Sequence, residues 1–225
     1  SEAVATFVSL HAATARASAD AIDAQRAAGV PLPPLAGVPI SIKDLFDEAG
    51  QVTRAGSRAL ADAEPAAEDC PVVSRLRAAG AVIVGRTNMT EFAYSGLGLN
   101  PHYGTPRNPW DRATGRIPGG SSSGAAISVT DGMAAAGIGS DTGGSVRIPS
   151  ALCGLTGFKP TAHRVPITGV APLAVSLDSI GPLARSVACC ALLDSVMAGE
   201  APRQLRAAPL SGKRFWIPRT LAFDG

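Results

Sequence analysis

Short apolar segments alternate with helix-like segments along this chain, and the alternation constrains the fold more than any other feature. Residues 37–43 (GVPISIK) have the period-two pattern of a strand. Residues 81–84 (AVIV) form a compact apolar strand that ends at Gly85. Because strands and helices alternate, we predict an α/β fold in which helices cover both faces of a sheet.

Glycine, proline and capping residues mark the other predicted elements. Residues 2–28 are Ala-rich and predict one long helix. Asp69 precedes Pro71, and Gly80 follows the segment, which predicts a helix with Asp69 as its N-cap. The remaining predictions are a loop at 97–118, helices near 88–94, from 121, from 143 and over 183–198, and strands at 134–138, 155–158 and 214–217.

Charge and composition exclude several classes of protein. The 20 basic and 18 acidic residues give a net charge of +2 with no basic run longer than two, so no nucleic-acid partner is expected. No stretch approaches the roughly 20 apolar residues of a membrane span. The first residues lack the pattern of a signal peptide, so we expect a cytoplasmic protein.

Cysteine and histidine give no metal or redox signature. The cysteines share no CxxC spacing, and we expect reduced, buried thiols at Cys70, Cys153, Cys189 and Cys190. The histidines are widely separated and outside any HExxH frame, at His11, His102 and His163. We therefore expect no metal site and no cofactor.

Two segments rich in glycine and serine are the main candidates for a functional site. Residues 118–124 (PGGSSSG) and 139–147 (GSDTGGSVR) each lead into a predicted helix, whose N-terminus favours an anion. Sixteen of the 25 glycines lie between residues 80 and 157. Neither segment has the GxxxxGK[ST] or GxGxxG pattern of a phosphate site. Each segment taken alone could also be a set of tight turns that supports the sheet.

Lys43, in ISIKD, adds a third candidate. A lysine at the end of an apolar strand is normally a surface charge that extends to water. In a buried cleft, desolvation would lower its pKa, and a neutral amine at pH 7 requires a fall of about 3, or roughly 4 kcal/mol. Such an amine could activate a serine as histidine does in a triad, and no histidine lies beside these serines.

Together these motifs resemble the amidase signature family, serine hydrolases of carboxamides with a Ser–cis-Ser–Lys triad. GVPISIKD, PGGSSSG and GSDTGGSVRIPSALCGLTGFKPT carry the resemblance, and TNMTEFA, NPHYGTPRNPW and SLDSIGPLARSV extend it. It implies the amidase signature fold, a mixed β-sheet core covered by helices on both faces. It further implies a single domain over residues 1–225, with an N-terminal helix at 1–30 and the signature core at 37–197.

The resemblance also implies a role for each site residue. Ser145 corresponds to the nucleophile, Ser121 to the bridging serine after a cis peptide bond from Gly120, and Lys43 to the base. Neutral Lys43 would take a proton from Ser121 while Ser121 takes one from Ser145, whose Oγ attacks the amide carbon to give an acyl-enzyme.

The remaining site residues would support that chemistry. The oxyanion hole would be formed by the backbone N–H groups of Thr142, Gly143, Gly144 and Ser145. Ser122 would hydrogen-bond near Lys43, while Asp141 and Arg147 would brace the loop. Ser123 stands where the family usually has glycine, and its small hydroxyl is expected to be tolerated.

Three functions stay open at this point. The first is an amidase that cleaves the C–N bond of a linear, small-molecule carboxamide to a carboxylate plus ammonia or an amine. The second is the A-type subunit of a glutamine-dependent aminoacyl-tRNA amidotransferase. The third is a truncated, inactive scaffold, because family members are substantially longer than 225 residues and the fold is therefore expected to be incomplete at its C-terminal end. The sequence leaves a homodimer open.

Overall fold

A mixed β-sheet organises the chain in the computed structural model, which describes residues 2–202 and 205–215. Its strands are β1 (Phe7–Leu10), β2 (Pro39–Lys43), β3 (Val82–Thr87), β4 (Ala136–Asp141), β5 (Thr156–Gly157) and β6 (Ser179–Ala184). They lie in the order β1-β3-β2-β4-β6-β5. β2 is parallel to both of its neighbours, β3 and β4, whereas the outer pairings are antiparallel.

Helices pack on both faces of this sheet, as the sequence predicts. They are α1 (Glu2–Thr6), α2 (Ala12–Ala27), α3 (Pro71–Ala78), α4 (Ser123–Thr130), α5 (Arg147–Leu152) and α6 (Val187–Ala198), with 3₁₀ turns at Glu91–Ala93 and Pro109–Asp111. None of the helices in the described part of the chain has the length and apolar character needed to cross a membrane.

The two faces bury separate apolar clusters. On one face, α3 and α6 pack against alternate strand residues such as Ile40, Ile42 and Ile138. On the other face, α4 and the two residues that flank α5, Val146 and Cys153, pack with Leu183. Because side chains alternate along a strand, the neighbours of Ile40 and Ile42 point towards α4, and Ser41 Oγ lies 2.8 Å from Ser128 Oγ on that helix.

The prediction of one helix over residues 2–28 is wrong. The segment folds as α1, β1 and α2, and β1 pairs antiparallel with β3. The Ala-rich flanks dominate the local pattern, but residues 7–10 (FVSL) suit a strand and the open edge of β3 supplies the partner. Tertiary pairing therefore overrides the helical preference of the surrounding residues.

The start of α3 also differs from its prediction. Its N-cap is Cys70, and no side chain caps it. Asp69 instead accepts a hydrogen bond from the Ala49 N–H at 2.9 Å and pairs with Arg77. The Asp69 carboxylate is thus engaged by a backbone N–H of another segment and by a side chain in the last turn of α3, so it does not cap the helix.

Strand β6 is absent from the sequence prediction, and the predicted helix over 183–198 begins only at Val187, capped by Ser186. A Gly181–Pro182 pair within β6 argues locally against a strand. The structure overrides this signal because β6 pairs along its whole length with β4.

Other boundaries move by a few residues. β3 and β4 extend beyond the predicted 81–84 and 134–138, and the helix predicted near 88–94 is only a 3₁₀ turn. All four cysteines are free, but Cys189 is exposed rather than buried. For the strand predicted at 214–217, residues 214–215 are not in a strand and 216–217 lie outside the described residues.

A buried ion pair links β3 to the end of β2. Arg86 and Asp44 are both fully buried, and Arg86 Nε donates to Asp44 Oδ1 at 2.9 Å. Arg86 Nη1 also donates to the Phe46 carbonyl at 2.8 Å. Burial raises the pKa of Asp44, and the Arg86 charge and hydrogen bond oppose that rise. Removal of the guanidinium would therefore leave a buried carboxylate without its cation.

We expect Arg86→Met to lower the free energy of unfolding by about 3 kcal/mol or more, because it breaks a buried pair from one side. The matched control is Arg26→Met, which removes an exposed pair with Asp23 and should cost less than about 1 kcal/mol. Urea unfolding of both variants at pH 7 measures the difference. Equal unfolding midpoints would contradict the interpretation.

Candidate active site

Three sequence motifs meet at the carboxyl ends of two neighbouring parallel strands. Lys43 is the last residue of β2, and Asp141 is the last residue of β4. The serines of residues 118–124 lie at the start of α4, and Ser145 lies between β4 and α5. This edge of a sheet, at the carboxyl ends of parallel strands, is where α/β proteins commonly bind ligands.

Lys43 is fully buried at this edge. Its Nζ donates to Ser121 Oγ at 2.7 Å and to Ser140 Oγ at 2.8 Å. Desolvation lowers the pKa of Lys43 from 10.5 to about 7, although the negative charges of Asp141 and Asp178 act in the opposite direction. The amine is therefore close to half neutral at neutral pH and already contacts a serine hydroxyl.

Ser121 is held in a closely packed backbone. The Gly120–Ser121 peptide bond is cis, as the family resemblance implies. The Ser121 carbonyl accepts a hydrogen bond from the Thr90 N–H at 3.1 Å. A Cβ on Gly120 would lie 2.6 Å from the Gly98 nitrogen, so only glycine fits before this serine.

Ser145 lies beside the Ser121 segment and is 7% exposed. Its carbonyl accepts a hydrogen bond from the Ser122 N–H at 3.2 Å, which joins the two serine-bearing segments. The Ser145 hydroxyl forms no hydrogen bond with any residue in 2–202 or 205–215. Catalytic hydrogen bonds are often loose without substrate and tighten when it binds, so a hydroxyl here can still act as a nucleophile.

Asp141 holds the loop around Ser145 from the inside. Its buried carboxylate accepts two hydrogen bonds from Arg147, at 3.0 Å from Nε and 2.9 Å from Nη2. It also accepts the backbone N–H groups of Gly144 at 2.7 Å and Val146 at 3.1 Å. Burial alone raises the pKa of Asp141, but the hydrogen bonds from Arg147 and the backbone outweigh it and lower the pKa.

The expectation of four oxyanion donors needs correction at one position. The Gly144 N–H points inward to Asp141, so it is not directed at a bound oxyanion. The N–H groups of Thr142, Gly143 and Ser145 donate to no acceptor among the described residues. A Cβ on Gly143 would meet open space, so this stretch of backbone is accessible to a substrate. Of the four N–H groups expected to act as oxyanion donors, three are thus left without an internal acceptor among the described residues.

Two residues near Lys43 are missing from the sequence interpretation. Ser140 accepts from Lys43, and its carbonyl accepts from Ser122 Oγ at 3.4 Å, so Ser122 reaches the lysine only through Ser140. Asp178 lies directly before β6. Because a buried ammonium requires hydrogen-bond acceptors, a hydroxyl near the end of β4 such as Ser140 could have been predicted as a partner of Lys43. The position of Asp178 could not have been predicted, because it depends on β6, a strand that the sequence pattern does not predict.

This arrangement supports nucleophilic chemistry at a serine. It combines a buried lysine whose pKa is about 7, serine hydroxyls and accessible backbone N–H donors. No group of three or more His, Cys, Asp or Glu residues in the described ranges could hold a metal ion. The fold and site thus define an α/β protein with a serine–lysine centre.

Comparison with known proteins then assigns the family. The family model named Amidase matches residues 1–220, and the chain belongs to the amidase family, the amidase signature enzymes. It is 50% identical over 188 residues to AtzE, the 1-carboxybiuret hydrolase subunit of Pseudomonas sp. strain ADP, with 84% of this chain and 41% of that protein covered.

Two further similarities support the same family. The A-type subunit of glutamyl-tRNA(Gln) amidotransferase from Anaeromyxobacter sp. strain K is 47% identical over 226 residues, with 95% of this chain and 45% of that protein covered. The solved structure of native peptide amidase from Stenotrophomonas maltophilia matches with a TM-score of 0.78 and 37% identity, over 88% of this chain and 41% of that one. The chain therefore spans less than half the length of these relatives.

We expect Lys43→Met to stabilise the protein, and to do so more at pH 6 than at pH 9. The pKa of Lys43 is about 7 in the folded protein, against an ordinary value of 10.5 that applies to the unfolded chain. Between pH 7 and pH 10.5 the unfolded chain therefore binds more protons at this residue than the folded protein does. The cost of burying Lys43 is therefore full below pH 7 and falls as pH rises. The stabilisation should be about 2.7 kcal/mol larger at pH 6.

Urea unfolding of the wild-type protein and Lys43→Met at both pH values measures this difference. Since other groups titrate equally in the two proteins, the difference between them isolates Lys43. An effect of the substitution that is the same at pH 6 and pH 9 would mean that the buried amine keeps an ordinary pKa.

Proposed function

We propose that this chain carries the catalytic centre of a serine amidase, with Ser145 as nucleophile, Ser121 as bridging serine and Lys43 as base. The reaction would cleave a C–N amide bond to a carboxylate plus ammonia or an amine. The observation that carries this proposal is the fully buried Lys43 Nζ, 2.7 Å from Ser121 Oγ, with a pKa of about 7.

Acylation transfers one proton at each step of the relay. Neutral Lys43 accepts the proton of Ser121, Ser121 accepts that of Ser145, and Ser145 Oγ forms a bond to the amide carbon. When the C–N bond breaks, Lys43 returns the proton through Ser121 to the leaving nitrogen. Water then attacks the acyl-enzyme by the same route, and the carboxylate leaves.

The negative charge that develops on the amide oxygen requires fixed donors. The Thr142, Gly143 and Ser145 N–H groups are the candidates, because Asp141 accepts the fourth, from Gly144. Loss of one such donor typically costs on the order of 3 kcal/mol in the barrier. Asp141 and Arg147 contribute indirectly in this scheme because they keep the loop in shape.

The substrate class rests on the relatives. Similarity to a peptide amidase and to a component of a carboxybiuret hydrolase supports amide hydrolysis. We propose a small, linear carboxamide as substrate, with no cofactor. A single domain over residues 1–225, a cytoplasmic location and a homodimer stay predictions.

A fluorophosphonate probe tests the nucleophile directly. We expect one phosphonyl adduct, located on Ser145 by peptide mass spectrometry, with a rate that rises from pH 6 to pH 8 because Lys43 must be neutral. Lys43→Ala and Ser121→Ala should each slow labelling by about 100-fold or more.

Ser123→Ala is the matched control, because Ser123 is a buried serine two positions from Ser121 with no role in the relay. It should label at the wild-type rate. A folded wild-type sample with no adduct would contradict the proposal and favour an inactive scaffold. Labelling of Ser121→Ala at the wild-type rate would remove Ser121 from the mechanism.

A second candidate function is that of an A-type amidotransferase subunit, favoured by the 47% identity to the corresponding component of a glutamyl-tRNA(Gln) amidotransferase. In that case Ser145 would release ammonia from glutamine for a partner protein. Ammonia release from glutamine and from benzamide distinguishes the two functions. Partner-independent hydrolysis of benzamide supports the free amidase, whereas release from glutamine only when partner proteins are present supports the alternative.

A further inference from the structure

We propose that Asp178 is a positioning residue for this same reaction: it holds Thr142, and through Thr142 the N–H donors that face the substrate. This inference rests on the proposed function and concerns a residue outside the Ser–Ser–Lys relay.

Strand pairing places Asp178 next to Thr142. β4 and β6 are antiparallel, and Asp141 pairs with Ser179. In an antiparallel pair the next residue along β4 meets the preceding residue of β6, so Thr142 faces Asp178 just beyond the paired ends. Thr142 Oγ1 donates a hydrogen bond to Asp178 Oδ1. The residue whose N–H is a candidate oxyanion donor is therefore held by its own side chain.

Asp178 is itself rigidly held by its own turn. Its carboxylate accepts the backbone N–H of Leu173 at 3.0 Å and that of Ala174 at 3.1 Å, and its own N–H donates to the Ala174 carbonyl at 2.8 Å. The residue is only 7% exposed. A carboxylate fixed in this way can orient Thr142 without reorganising during the reaction.

Asp178 is also one of two carboxylates that act on Lys43. Asp141 at the end of β4 is the other, and both raise the pKa of Lys43 against desolvation. Asp44, next to Lys43 in sequence, is paired with Arg86 on β3. The groups that hydrogen-bond with the Lys43 Nζ are serine hydroxyls, which carry no charge.

The negative charges of these two carboxylates are balanced to different degrees by nearby cations. Asp141 forms an ion pair with Arg147, whereas Asp178 accepts only hydrogen bonds from neutral groups and pairs with no cation in the described part of the chain. Its charge is therefore less offset. Removal of that charge should favour the neutral form of Lys43 and extend activity to lower pH.

The test is the rate of fluorophosphonate labelling of Ser145 between pH 5 and 9, with thermal unfolding measured in parallel. Thr142→Val removes the hydroxyl and keeps the carboxylate, so we expect labelling about 10-fold slower with the same pH midpoint. Thr142→Ser keeps the hydrogen bond and should restore the rate. Asp178→Asn should slow labelling and lower the pH midpoint by about half a unit.

Asp47 and Thr53 supply a matched control, since Thr53 Oγ1 donates to Asp47 Oδ1 at 2.7 Å outside the proposed site. Asp47→Asn and Thr53→Val should label like the wild type. If Asp178 has only a structural role, Asp178→Asn will unfold at a lower temperature but label with the wild-type pH midpoint. That result would overturn the inference. If Asp178→Asn does not fold, Thr142→Val at the wild-type rate overturns it by itself.

The outcomes separate this inference from the proposed function. An unlabelled wild-type protein overturns both. A labelled wild-type protein with unchanged Thr142→Val and Asp178→Asn variants overturns only the role of Asp178.

Discussion

The buried amine of Lys43 is the constraint on which the arrangement of the site depends. An ammonium without water requires acceptors, and Ser121 and Ser140 supply them from segments 78 and 97 residues away. Glycines in β4 allow α4 to approach closely enough: a Cβ on Gly139 would lie 2.5 Å from Ser122 Oγ. Close packing of α4 on the sheet therefore brings the Ser121 segment to the lysine.

Lys43 differs from two nearby cations, because each of those has a carboxylate partner within hydrogen-bond distance. Arg86 pairs with Asp44, and Arg147 pairs with Asp141. Lys43 instead has hydroxyl partners and more distant carboxylates, so desolvation dominates and its pKa falls to about 7. The cation of this region that lacks a direct carboxylate partner among the residues that the structure describes is thus the one that contacts the serine hydroxyls.

Local pattern predicts the general architecture but not the long-range pairings. The strands predicted at 37–43 and 81–84 correspond to β2 and β3, because an apolar alternation or a compact apolar run is visible within a few residues. The strand β1 is hidden between Ala-rich flanks, and β6 is hidden by its Gly181–Pro182 pair; each exists because a distant strand offers hydrogen bonds. Asp178 escapes sequence interpretation for the same reason, since its position follows from β6.

The family and its motifs can be read from the amino-acid order, because Lys43, Ser121 and Ser145 occur within distinctive segments that are recognisable without a structure. The groups that those motifs contact follow only from the fold: Ser140 beside the lysine, Asp178 beside Thr142, and the Gly144 N–H turned to Asp141. The physical reason is that hydrogen-bond partners and desolvation depend on chain segments that meet only after folding. Residue order specifies which chemical groups are present, whereas packing specifies their charge states and the directions in which their hydrogen bonds point.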